Sequence, residues 1–225
     1  GHPMIDNLKK LPDRIIACEK LGLDPSNKII LLTPASRIQE LKYLLPTFAK
    51  VISILQKKDP SIYVIVPSSL ETFEKPIRKI LNRFSVVGKV IPAKDVDHLK
   101  PSLFSVADLA LTKSGTINME FALHDVPQIV GYKVSRVTAF IAKYLLKFNV
   151  EHISPVNLLL KERLLPEFVQ DEFVEKNIAE YAMELLVNEN VQSKMLDGYE
   201  KLRSELGTTG VTKRAANEIF KLIVK

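Results

Sequence analysis

Apolar residues fall along this chain in two alternating spacings. Ile29-Ile30-Leu31-Leu32 is an unbroken apolar run between Lys28 and Thr33, the pattern of a parallel strand covered on both faces. Directly after it, Ile38, Leu41, Leu44, Leu45, Phe48, Ile52 and Leu55 recur at three and four residues. That is one stripe of a helix several turns long, which Pro46 either kinks or shortens at its start. The alternation continues, with strands expected over 62–66, 86–91 (interrupted at Gly88), 108–112 and 126–132. Helices are expected over 12–21, 70–84, 97–107 (crossed by Pro101) and 116–123. A mostly apolar helix over 137–148 follows; it could lie on an anionic membrane surface, but burial against the sheet is favoured, with Lys143 and Lys147 snorkelling to water. Residues 1–11 read as the end of a linker, and 166–225 as C-terminal helices. The pattern predicts an α/β fold: a Rossmann-like, doubly wound parallel sheet with a helical C-terminal extension, whose ligands sit at the carboxyl ends of the strands.

One junction carries candidate chemistry. Leu109-Ala-Leu-Thr112 runs into Lys113-Ser-Gly-Thr116, and helix-spaced residues begin at once. The first N–H groups of a helix have no internal partner and lie at the positive end of its dipole, so such a turn suits an anion, and Gly115 admits close approach. Thr116 and Glu120 are four apart and share a face, with Cβ tilt aiming Glu120 back toward the turn. A carboxylate beside an anion site repels phosphate unless the ligand also offers hydroxyl donors, as a ribose diol does. The same residues also fit a plain helix cap at Ser114 with Glu120 facing water, so both readings stand at this point. Arg37, in the loop after the first strand, could reach the same crevice and clamp a pyrophosphate through its planar fork, although taken alone it fits a solvated surface arginine better.

Composition narrows the classes. The chain has 225 residues, 46% hydrophobic and 26% charged, with a net charge of +6, ordinary for one large or two small globular domains. The positive balance favours anionic partners, yet no Lys/Arg block of the nucleic-acid kind occurs, so small phosphorylated or membrane-associated ligands are expected. Cys18 is alone and no apolar run has the length of a membrane span, which excludes a disulfide framework and a transmembrane helix. The chain opens Gly1-His2-Pro3 without Met, so an upstream segment is expected and the absence of a leader carries no weight. His2, His98, His124 and His152 lack metal-ligand spacing. Asp95-Val96-Asp97 fits a loose metal-and-nucleotide-sugar pattern but equally a helix cap, and no Walker, Gly-x-Gly-x-x-Gly or Gly-x-Ser-x-Gly motif is present.

Five stretches occur together in order: Leu31-Leu-Thr-Pro-Ala-Ser-Arg-Ile-Gln-Glu40, Lys113-Ser-Gly-Thr-Ile-Asn-Met-Glu120, Ile129-Val-Gly-Tyr-Lys133, Ser154-Pro-Val-Asn-Leu-Leu159 and Pro166-Glu-Phe-Val-Gln170. With that order and spacing the chain resembles the lipid-A-disaccharide synthases over most of its length to about Glu172. The resemblance implies the carboxyl-terminal, donor-binding half of a two-domain GT-B glycosyltransferase, residues 1–225, with 1–11 as the remnant of the interdomain linker. It implies transfer of a diacylated glucosamine from its UDP donor to a lipid-linked acylglucosamine 1-phosphate, with release of UDP and neither cofactor nor required metal. The substrate-binding residues implied are Arg37, Ser114, Gly115 and Thr116 on the pyrophosphate, Glu120 on the ribose, and Asn157 and Gln170 facing the donor sugar and phosphate side. The catalytic base is expected in the other half. A site in the cytoplasm or on the inner face of the bacterial inner membrane is implied, with a plastid as the eukaryotic counterpart, and a homo-oligomer is compatible with it. Where many members carry Gly before Ser-Arg, this chain has Ala35, which restricts backbone approach to phosphate there. UDP-sugar epimerases share the architecture, and a non-catalytic UDP-binding module would share the turn. The stretches at 154–157 and 166–170 favour the lipid enzyme.

Overall fold

The run 29–32 is buried on both sides. Ile29 and Leu31 enter one apolar cluster with Ala17, Cys18, Leu103 and Phe104, while Ile30 and Leu32 enter another with Leu44, Phe48, Ile52 and Ile178. Successive side chains of a strand point to opposite faces, so an unbroken apolar run demands a cover on each. The structure is a computed structural model and describes residues 1–135, 137–138 and 151–223. Its strands are β1 (Lys28–Thr33), β2 (Ile62–Pro67), β3 (Gly88–Ile91), β4 (Ala107–Lys113), β5 (Gln128–Tyr132) and β6 (Glu167–Val169), all parallel, in the order β3-β2-β1-β4-β5-β6. The helices are α1 (Arg14–Leu21), α2 (Ile38–Lys58), α3 (Glu71–Arg83), α4 (Ala93–Val106), α5 (Ile117–Leu123), α6 (Pro155–Leu160), α7 (Glu175–Val187), α8 (Glu189–Leu206) and α9 (Val211–Ile223). α1 and α4 cover one face of the sheet; α2, α3, α7 and α8 cover the other.

The strand order reverses between β1 and β4, which places the topological switch point between their carboxyl ends, where ligands of open α/β sheets bind. Thr33 Oγ1 donates to Thr112 Oγ1 at 2.7 Å across that point. At the opposite end, Arg14 forks onto Asp108 at 3.0 and 2.9 Å and also donates to the carbonyls of Val106 and Asn27, tying α1 to both central strands.

Several expected boundaries move. α2 keeps Pro46 inside and starts at Ile38, so the apolar stripe outweighs the lost backbone hydrogen bond. β3 starts at Gly88, which sits so close to β2 that a Cβ there would lie 2.3 Å from the Val64 carbonyl oxygen. α4 begins at Ala93, not 97, with Pro92 before it. The expected all-helical stretch 166–225 is corrected at its start. Residues 167–169 form the edge strand β6, anchored where the Val130 N–H donates to the Pro166 carbonyl at 2.9 Å. Three residues are too few to show a period. The helix expected over 137–148 lies, except for residues 137 and 138, outside the described residues.

The first residues are not loose chain. Pro3–Asn7 form a 3-10 helix, and the Asp6 carboxylate caps α9, accepting from the N–H groups of Gly210 (2.6 Å), Val211 (3.2 Å) and Thr212 (2.8 Å) and from the Thr212 hydroxyl. These bonds hold the Asp6 carboxyl far below the usual carboxylate range, the Thr212 hydroxyl contributing most. A carboxyl with a depressed folded pKa contributes stability that is present above its unfolded pKa and lost as pH falls toward the folded value. Acidification downward from about pH 4 is therefore expected to weaken the start of α9 progressively. Hydrogen exchange at Gly210, Val211 and Thr212 checks this: Asp6→Asn should exchange fast at neutral pH, and equal protection in both proteins at all pH values would refute it.

Candidate functional site

The turn after β4 is shaped by a residue that spacing alone does not single out. Asn118, fully buried, accepts from the Gly115 N–H at 2.8 Å and donates to the Lys113 carbonyl at 3.2 Å and to Gln128 Oε1 at 3.0 Å. Gln128 in turn donates to the Asn118 carbonyl (2.9 Å) and the Tyr199 hydroxyl (3.2 Å), which donates to the Val126 carbonyl (3.1 Å). Burial pushes the Tyr199 hydroxyl far above its ordinary pKa, so it stays a neutral donor. This chain of satisfied buried groups runs from α8 to the turn and sets its shape.

Two expectations about the turn change. The Gly115 N–H is already used by Asn118, so the N–H groups open to a ligand are those of Thr116 and Ile117, which have no protein acceptor among the described residues. α5 has only seven residues, so its dipole is small, and Lys113 is the cationic side chain at the turn. The Lys113 ammonium donates to the Ser114 carbonyl at 3.2 Å and lies 3.9 Å from Glu40 Oε1. A Cβ on Gly115 would lie 2.6 Å from that ammonium, so a larger residue there would displace the Lys113 side chain, and no left-handed torsion calls for glycine. Ser114 is not a helix cap: its hydroxyl donates to the Ile153 carbonyl at 2.5 Å, bracing the turn against the segment before α6.

Arg37 precedes α2 and is exposed, its guanidinium in no ion pair among the described residues. Glu40, three residues on, holds its loop: one carboxylate oxygen accepts from the Ser36 N–H (2.7 Å), the Ser36 hydroxyl (3.2 Å) and the Arg37 N–H (3.2 Å). The Ala35 carbonyl accepts from the Ser69 hydroxyl at 2.9 Å. Glu40 thus joins the Arg37 loop to Lys113, bringing Arg37, Ser114, Gly115 and Thr116 to one edge of the switch point. Lys113 and Glu40 stand inside the motifs, whose resemblance implies no role for either. For Glu40 the signal was its capping-box position three residues into the helix.

Glu120 makes no side-chain hydrogen bond or ion pair to the turn among the described residues. Its carboxylate pairs with Lys100 of α4, and both line a cavity of about 420 Å³ between α4, α5 and the segment 3–11, floored by Phe104 and Leu123. None of the other six implied residues lines it. Asn157 departs from expectation: it is fully buried, its amide bonded to the Leu165 N–H (2.8 Å) and carbonyl (2.9 Å), so it clamps the connection between α6 and β6 and does not face a donor sugar. Its neighbour Ser154 and Ile153 donate their N–H groups to the buried Glu167 carboxylate at 2.7 and 3.0 Å. The two later motifs therefore interlock as a brace behind Ser114. Gln170 has a left-handed backbone, φ 50°, and accepts from the Val134 N–H at 3.4 Å beyond β5, at the carboxyl edge of the sheet. Asp95 and Asp97 are two apart on α4 and point to different faces.

Fold and site together define a class: one Rossmann-like unit with a lysine-bearing turn at the switch point. The lipopolysaccharide glycosyltransferase WaaG has this fold (TM-score 0.58, 15% identity, 97% of this chain and 54% of that one). So does the UDP-GlcNAc 2-epimerase of Neisseria meningitidis bound to UDP-GlcNAc (TM-score 0.55, 18% identity, 92% and 54%). The model of the lipid-A-disaccharide synthetase family matches residues 1–223, and the chain belongs to that family. It is 54% identical over 222 residues to the lipid-A-disaccharide synthase of Prochlorococcus marinus strain MIT 9313, covering 99% of this chain and 57% of that protein. The chain spans 55–57% of the length of the first three such relatives.

Proposed function

We propose that this chain is the donor-binding half of a lipid-A-disaccharide synthase, acting in lipid A biosynthesis. Residues 1–225 hold the UDP-linked diacylglucosamine, the segment 1–11 leads to the acceptor-binding half, and the acceptor is a lipid-linked acylglucosamine 1-phosphate. The observation that carries the reading is the meeting of the Arg37 loop and the Lys113–Ile117 turn, through Glu40, at the switch point of a chain of this family.

The chemistry follows from that placement. As the glycosidic bond to UDP breaks, negative charge grows on the pyrophosphate, and groups already fixed around it lower the barrier most. Lys113, the free N–H groups of Thr116 and Ile117, and the Arg37 guanidinium surround that position. Glu120, one helical turn from Thr116, takes the ribose hydroxyls at the mouth of its cavity, while Gln170 lies on the sugar side. The proton of the acceptor hydroxyl is taken by a base of the acceptor half. Both sugars carry acyl chains, so the reaction takes place at a membrane surface. Among the described residues no helix is long and apolar enough to cross a membrane, and attachment in this reading is peripheral.

A site pre-formed on one sheet binds UDP without the acceptor half. At a hundred times its Kd, a ligand stabilises the native state by about 2.7 kcal/mol, and at 2–4 °C per kcal/mol a domain of this size should melt roughly 5–11 °C higher. Uridine plus separate pyrophosphate should do less, because the covalent link engages both subsites at once. Cooperative unfolding with no shift at saturating UDP would overturn the reading.

A further inference from the structure

A carboxylate that binds a ribose beside a pyrophosphate is repelled by the ligand it is meant to hold, and this chain carries a countercharge. We infer that Lys100 is a positioning residue for the nucleotide, neutralising Glu120 so that its carboxylate can accept from the ribose hydroxyls next to two phosphates. The inference rests on the reading of Glu120 as the ribose partner.

Lys100 lies on α4 and Glu120 on α5, and their side chains, 36% and 27% exposed, meet across the rim of the cavity. The ammonium contacts Oε2; among the described residues the Glu120 carboxylate has no other side-chain or backbone partner, which leaves Oε1 to accept from a ligand. The ammonium is held from a second side by the face of Phe104, 5.7 Å from its centroid. The remaining charged groups on the cavity are Asp97, one turn before Lys100, and Lys9 on the outer wall, and neither forms an ion pair among the described residues. Glu120 and Lys100 together present a neutral pair that keeps the acceptor oxygen. The Lys113 ammonium is held by Glu40 and the Ser114 carbonyl, so it does not neutralise Glu120.

The test is calorimetric titration of the chain with UDP and with uridine, which keeps the diol and lacks the phosphates. Lys100→Met should weaken UDP about tenfold or more, the size of one charge-assisted contact, and leave uridine within about threefold, since the uncompensated carboxylate then opposes only the phosphates. Lys100→Arg should restore most of the affinity. With Glu120→Gln in place, adding Lys100→Met should cost nothing further, because no charge remains to compensate. Equal losses for UDP and uridine, or an undiminished loss in the Glu120→Gln background, would overturn the inference while leaving the UDP site standing. Failure of the unaltered chain to bind UDP would instead remove the functional reading and this inference with it. Unfolding temperatures of all variants, measured alongside, separate binding losses from folding losses, and a Lys100→Met loss matched by a large fall in unfolding temperature that Lys100→Gln repeats counts against positioning.

Discussion

Gly115→Val abolishes UDP binding and leaves the fold intact. The first added carbon falls 2.6 Å from the Lys113 ammonium, and the two methyl groups beyond it occupy the approach to the Thr116 and Ile117 N–H groups. Lys113 must swing away, taking with it the chief positive charge of the turn. Losing that ammonium and even one of the two backbone donors removes at least two charge-assisted contacts at about 1.5–3 kcal/mol each, which exceeds a hundredfold in affinity. Gly115 does not have a left-handed backbone, so valine brings no torsional strain, and the unfolding temperature should move by only a few degrees. Titration with UDP and a thermal melt read the two quantities separately. A Kd within tenfold of the unaltered chain would place the phosphates away from this turn. A collapse in stability would assign Gly115 to folding instead.

Asn118→Ala destabilises the whole domain and weakens UDP with it. The side chain satisfies the Gly115 N–H, the Lys113 carbonyl and Gln128 Oε1 in a fully buried position. Each buried polar group left without a partner costs about 1–3 kcal/mol, so the sum is about 3–5 kcal/mol after local relaxation. The melting temperature should fall by roughly 6–20 °C at 2–4 °C per kcal/mol. The released Gly115 N–H no longer fixes the turn, so UDP affinity falls even where the protein stays folded. Asn118→Asp keeps the acceptor for Gly115 and loses both donors, and should lie between. A loss under about 1 kcal/mol would mean that water replaces the side chain and that the network does not shape the turn.

The strands were legible because burial on both faces leaves an unbroken apolar run. Lys28–Thr33 matches its expected bounds, and β2, β4 and β5 differ by one or two residues at an end. The same logic exposed α2, whose stripe persists through Pro46. β6 was not legible: its three residues, of which Glu167 is buried as a carboxylate for two N–H groups, present neither an apolar run nor a period.

By itself, the sequence determined the alternation of strand and helix, the existence of a Ser-Gly-Thr turn at a strand's carboxyl end, and membership of a family whose motifs it carries in order. These are local or one-dimensional properties, set by which side chains must leave water and which backbone positions need a small residue. Tertiary structure decided what each polar residue is for, because a hydrogen-bond partner distant in sequence leaves no mark on spacing. Asn157 and Ser114 look like ligand contacts in the motifs, yet the partners of one are at Leu165 and that of the other at Ile153. The ion-pair partner of Glu120 is Lys100, twenty residues back on another helix, which no spacing along the chain reveals. The joining of Arg37 to the turn through Glu40 and Lys113 arises only because β1 and β4 lie side by side at the switch point, a consequence of how the sheet winds and not of any stretch of chain alone.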